Sequence, residues 1–252
     1  MTASNALTHL KLTEKHRIAC QQLLDWLPTI SEPKSVVFAG SIIAGTAGPS
    51  SDLDVVVLHS SGWRRRVQRW FNGTPVEVFF NSEEWLRHSI VEGADQATPV
   101  MAHMIATGKI IFDTDGLMEN IADASKELLK RGPCWSAEKL LYTRYAVASA
   151  VDDALDMSDK PGPIFWQLQA LAVNGLVNYA FLKRNMYPPR PKLQLSALAC
   201  IEPEATDSLC SAITDETIST AAHSLKDASH KILGVTGFFE WDSGQDDSRP
   251  SN

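Results

Sequence analysis

The sequence predicts an α+β fold: a small mixed β-sheet flanked by helices, followed by an all-α helical bundle. Three observations carry this. Short apolar runs bounded by turn signals recur between residues 35 and 113, each with the length of a buried strand. From Leu117 onward such runs stop, and long stretches with helical spacing and polar caps take over. Ile164 to Asn185 carries Trp166, Leu168, Leu171, Val173, Leu176 and Val177 on all sides, as expected of a helix at the centre of a bundle. The expected organisation is a sheet domain with an N-terminal helix over 1–116, a helical domain over 117–241 and a disordered tail over 242–252.

In chain order, residues 5–27 read as a helix, with Leu12, Ala19, Leu23, Trp26 and Leu27 near one face and Pro28 ending it. Ser35 to Ala39 reads as a buried strand, broken by Gly40-Ser41. Ile42 to Ala47 has room for one or two helical turns, and Gly48-Pro49-Ser50-Ser51 is a turn. Asp52 to Leu58 is a second strand. Trp63, Val67 and Trp70 at i, i+4 and i+7 predict a helix that turns Arg64, Arg65, Arg66 and Arg69 to water; the alternative use of these side chains is a polyanion surface. Asn72-Gly73 is a turn, and Thr74 to Phe80 is a strand in which Glu77 alternates with Val76 and Val78. Ser82 caps a helix to about residue 92, Thr98 to Thr107 gives another, and Gly108 to Asp113 closes the sheet. Helices are then expected over 117–130, 136–157 and 164–185, with two or three more between 193 and 234.

Composition narrows the classes. No run of about 18 apolar residues occurs, so a membrane span is not expected. The first twelve residues lack a basic segment followed by an apolar one, so a secretory signal is not expected either. Cys20, Cys134, Cys200 and Cys210 have no C-x-x-C spacing, which argues against a zinc site or a disulfide framework and makes a reducing cytoplasm the expected setting. A net charge of −7 argues against non-specific nucleic-acid binding; it suits a cationic small molecule, although plain solubility accounts for it as well.

The chemistry concentrates where the first two strands meet. Asp52 and Asp54 are two apart, so a strand points both to one side. Two carboxylates so placed repel each other, and a divalent cation resolves the conflict, with hard Mg²⁺ preferring carboxylate oxygen. The Gly40-Ser41 turn opposite offers N–H groups and a hydroxyl suited to phosphate. In the helical part, Asp152, Asp153, Asp156 and Asp159 collect at a helix C-terminus, where they oppose the helix dipole. That cluster is either a site for a cation or a base, or a solvated helix end.

Gly40-Ser41, Gly45 and, after five residues, Ser51-Asp52-Leu53-Asp54 resemble the signature of the DNA polymerase beta-type nucleotidyltransferase superfamily. The helical tail is similar to that of the aminoglycoside nucleotidyltransferase branch. The resemblance implies a metal-dependent enzyme that moves a nucleoside monophosphate from an NTP, with ATP the expected donor, to a hydroxyl of a small-molecule acceptor such as an aminoglycoside, releasing pyrophosphate. It implies one or two Mg²⁺ held by Asp52, Asp54 and a third carboxylate, for which Glu77 is the candidate as ligand or as base. Gly40, Ser41 and Ser51 would bind the nucleotide. Many relatives have a basic residue where this chain has Ala44, and Lys192, in a basic proline-stiffened loop, is the candidate to replace that charge. Partners are then the nucleotide and the acceptor, with no membrane and no nucleic acid expected, in a monomer or homodimer. The alternatives are a catalytically reduced nucleotide-binding regulatory or antitoxin-like protein, or nucleotidylation of a protein or RNA.

Overall fold

The computed structural model describes residues 7–160 and 162–245, in two compact units that divide between Gly132 and Pro133. The expected tail over 242–252 falls mostly outside the described residues, and 242–245 carry no regular structure. The fold is α+β, as the sequence predicts.

The first unit is built on five strands, β1 (Pro33–Ala39), β2 (Leu53–His59), β3 (Arg65–Phe71), β4 (Thr74–Asn81) and β5 (Lys109–Asp113), in the order β3-β4-β2-β1-β5. The sheet is mixed, because β2 and β4 run parallel while the other pairs are antiparallel. Alternation sorts the side chains. Phe38, Val55, Val57, Val78 and Phe80 enter one apolar layer under α1 (Glu14–Trp26), where Trp26 packs edge-on to Phe80 at 6.1 Å. Val37, Ala39, Val56 and Leu58 enter the other, beneath α3 (Glu83–Asp95), α4 (Val100–Thr107) and α5 (Leu117–Arg131). Phe38 and Phe80 are fully buried, each contributing roughly 2–3 kcal/mol of transfer free energy.

Three expectations are corrected. The helix expected over 5–27 is interrupted: residues 5 and 6 lie outside the described residues, Leu7 and Thr8 are helical, and after a break a new helix starts at Glu14, where the Thr13 hydroxyl accepts from the His16 N–H and caps it. The segment around Arg66 is strand β3, not a helix. Asn72 and Gly73 both have positive φ, 44° and 67°, the two-residue turn that joins antiparallel strands, and Phe71 pairs with Thr74 across it. The hairpin outweighs the apolar spacing of Trp63, Val67 and Trp70. The sheet unit also extends past residue 116 to Gly132, taking in α5. Asp113 at the end of β5 accepts from Ser35 of β1 at 2.5 Å and from the Glu119 N–H of α5 at 3.0 Å, while Met118, Ile121 and Ala122 pack against the sheet.

The second unit is helical among its described residues: α6 (Ala137–Leu155), α7 (Pro163–Leu182), α8 (Pro191–Ala199), α9 (Pro203–Thr214) and α10 (Ile218–Leu233). Helix α7 is central, with Ala172, Leu176, Ala180 and Phe181 buried. The small buried side chains that α6 and α10 contribute to this core (Ala148, Ala154, Ala228) allow close helix approach. Helix α2 (Gly40–Ala44), in the first unit, links β1 to the turn before β2 and is where the site begins.

Candidate functional site

The pairing register places the site. Ala39 of β1 lies opposite Asp54 of β2, Asp54 opposite Glu77 of β4, and Glu77 opposite Gln68 of β3. One row thus crosses four strands, ending at Ala39 just before Gly40. Asp52 precedes β2 by one residue on the same side as Asp54. Asp52, Asp54 and Glu77 each bring a carboxylate oxygen within 4.8 Å of the others, with Asp52 exposed, Asp54 half-buried and Glu77 buried. The three acids singled out in the sequence are therefore brought together, from two strands that are distant in sequence. Such an all-oxygen donor set fits a hard divalent cation.

Gly40, the first residue of α2, has φ +84°, and a Cβ there would sit 2.5 Å from Asp54 Oδ2. Only glycine lets the backbone pass this close to the acid. Ser41 donates its hydroxyl to Ser51 Oγ at 2.8 Å, and Ser51 Oγ also accepts the Gly48 N–H at 2.8 Å. These two serines tie the β1–β2 connection together beside the acids. Lys192 is exposed in the first turn of α8 and belongs to the second unit.

Two residues at the site were not foreseen. Arg66 Nε and Gln68 Nε2 of β3 both donate to Glu77 Oε1, Gln68 at 2.9 Å. The hydrogen bond to Glu77 pushes the Arg66 guanidinium pKa further up, burial opposes this, and the charges of Glu77, Asp54 and Asp52 add to the rise. The signal was present in the sequence: counting back from the Asn72-Gly73 hairpin puts Gln68 opposite Glu77 and Arg66 on the same face.

Other polar groups are used structurally. Asp152 Oδ2, part of the acidic helix end in the second unit, accepts the Phe238 N–H at 2.8 Å, and a Cβ on Gly237 would overlap its carboxylate. Asn178 accepts from Gln194 at 3.1 Å, linking α7 to α8. Lys183 at 2.9 Å and Arg184 both pair with Glu202, which removes two cations from the basic loop region. Among the described residues no helix is long and apolar enough to cross a membrane.

No family model matches the chain, and no curated protein matches it significantly. Among solved structures, the chain is similar to a nucleotidyltransferase-like protein from Exiguobacterium sibiricum 255-15. The TM-score is 0.51 at 13% identity, over 88% of this chain and 75% of that one. An identity so low speaks for architecture, and it agrees with the reading of the strands: this chain has a nucleotidyltransferase-like fold.

Proposed function

We propose that the protein transfers a nucleoside monophosphate from an NTP, with ATP the first candidate, to a hydroxyl of a small-molecule acceptor. The observation that carries this is the convergence of Asp52, Asp54 and Glu77 within 4.8 Å, beside a glycine whose missing side chain exposes the backbone next to Asp54. Those three side chains would hold the divalent cation, with Mg²⁺ expected. When bound, such an ion stabilises negative charge on the entering and leaving oxygens of the transfer.

The row across the sheet favours one side for each substrate. Gly40 and Ser41 would receive the donor's β- and γ-phosphates, and Ser51 would brace that loop. In-line displacement needs entering and leaving groups on opposite sides of the α-phosphorus. With the donor on the β1 side of Asp54, the acceptor approaches from the side of Glu77 and β3. Its hydroxyl oxygen bonds to the α-phosphorus as the bond to the bridging oxygen breaks, and pyrophosphate leaves. The hydroxyl proton goes to solvent.

The test is incubation with α-labelled ATP, Mg²⁺ and pooled hydroxylated acceptors, using wild type and Asp54→Ala. Label transfer by wild type that disappears in the variant is expected. Persistent transfer in the variant would overturn the assignment of the acids, and nucleotide binding without turnover on any acceptor would favour the regulatory alternative.

A further inference from the structure

Glu77 is buried, and both side chains that donate to it act on the same oxygen. Arg66 Nε and Gln68 Nε2 reach Oε1 from the neighbouring strand, Gln68 at 2.9 Å from directly across the β3–β4 ladder. We propose that Arg66 and Gln68 are positioning residues for Glu77: they pin Oε1 toward β3 and leave Oε2 to be presented to a divalent cation shared with Asp52 and Asp54. The role rests on the proposed cation site and specifies how its third ligand is set.

A free glutamate carboxylate rotates about its terminal torsion, whose preference is broad and roughly two-fold. Two donors on one oxygen remove that freedom before any cation arrives. The donors are themselves held. The Arg66 guanidinium lies 5.1 Å from the centroid of Phe79, two residues along β4 from Glu77, and the Asn72-Gly73 turn fixes the register that sets Gln68 opposite Glu77. Hydrogen-bonded partners of this kind orient metal-ligating carboxylates and raise affinity.

Electrostatics alone predicts the opposite sign for Arg66. A guanidinium facing three carboxylates repels an incoming cation, so a pure counter-ion would weaken metal binding and its removal would strengthen it. Gln68 is neutral, and its substitution isolates the orienting contribution.

The test uses the full chain with Mn²⁺ alone as probe, its affinity measured by calorimetry and by the electron paramagnetic resonance signal of free Mn²⁺. Gln68→Ala is expected to weaken binding by about tenfold, the low end for such partners because the side chain is exposed. Arg66→Lys, which keeps the charge and loses the planar fork, is expected to weaken it as well. In a Glu77→Gln background, Gln68→Ala should change nothing further, since it acts through that carboxylate. Wild-type affinity in Gln68→Ala, or an equal loss in the Glu77→Gln background, would overturn the proposal. Tighter binding by Arg66→Ala would make Arg66 a competing counter-ion and overturn its part. Should the Arg66 variants fail to fold by circular dichroism, Gln68→Ala decides. Wild type that binds no Mn²⁺ in an Asp54-dependent way would overturn the cation site and this role with it, whereas intact wild-type binding with indifferent variants overturns this role alone.

Discussion

Two groups of acids, one in each unit, are held in opposite ways. In the helical unit the carboxylates of Glu202, Asp227 and Asp152 are matched by donors: Glu202 takes Lys183 and Arg184, Asp227 takes Lys231 at 2.6 Å and Ser208 at 2.5 Å, and Asp152 takes a backbone N–H. In the sheet unit three carboxylates gather at the end of β2 and β4, and β3 brings them one guanidinium, that of Arg66. Matched charges hold helices in register. A surplus of like charge at one point costs stability unless a cation joins it, which is what favours the proposed cation site there. The difference separates acids that serve the fold from those proposed to serve chemistry, where composition alone treats all thirty Asp and Glu alike.

Breaking each region should therefore have different consequences. Asp54→Asn should lower nucleotidyl transfer by on the order of a thousandfold while leaving the urea midpoint unchanged or raised, because it removes one of three repelling charges. The matching change in the helical unit, Glu202→Gln, should do the reverse: transfer per folded molecule survives, and chemical denaturation shows a loss of about 1–3 kcal/mol as Lys183 and Arg184 lose their partner. Gly40→Ala lies between, since it strains the backbone by about 1–2 kcal/mol and crowds Asp54, so both stability and activity should fall. Gly73→Ala, at φ +67° with ordinary space around its Cβ, should cost about 1 kcal/mol and loosen the strand that holds Arg66 and Gln68.

The smallest expected effect is on pH. His59, buried at the end of β2, has its pKa lowered from 6.5, chiefly by burial, which a backbone hydrogen bond with Ser61 offsets only in part. Between the lowered folded value and 6.5 the unfolded chain binds more protons, so stability is full above that window and declines as pH falls through it. Urea midpoints at pH 7.5 and 5.5 should show this decline, and His59→Gln should flatten it. Asp227 is lowered from 3.8 by Lys231 and then Ser208, so its contribution persists until pH falls below that value. The sheet unit should therefore respond to mild acid before the helical one does.

What the sequence made legible follows the range of the interactions involved. The β1–α2–β2 connection was readable because glycine, serine and alternating aspartates act within fifteen residues. Strand alternation alone leaves Glu77 as readily an outer-face residue as a site residue; the Asp52 and Asp54 pair and the order of acids in the resembled family are what single it out. Strand β3 was misread because Trp63, Val67 and Trp70 satisfy a helical period, and only pairing with β4, a contact across the hairpin, overrides it. Arg66 and Gln68 were hidden by the same misreading, since a helix would have turned them to water. The end of the sheet unit was set too early because α5 looks like any amphipathic helix. Its attachment runs through Asp113 and Ser35, the latter more than 75 residues away from it in the chain. Local chemistry gave the acids; long-range pairing decided what surrounds them.

The central claim is that Asp52, Asp54 and Glu77 take one divalent cation together. Anomalous diffraction from crystals soaked in Mn²⁺ with a non-hydrolysable ATP analogue tests it most directly. A single strong peak bonded to oxygens of all three carboxylates is the predicted result. Full-occupancy analogue with no peak among them, or Glu77 outside bonding distance of the ion, would contradict it.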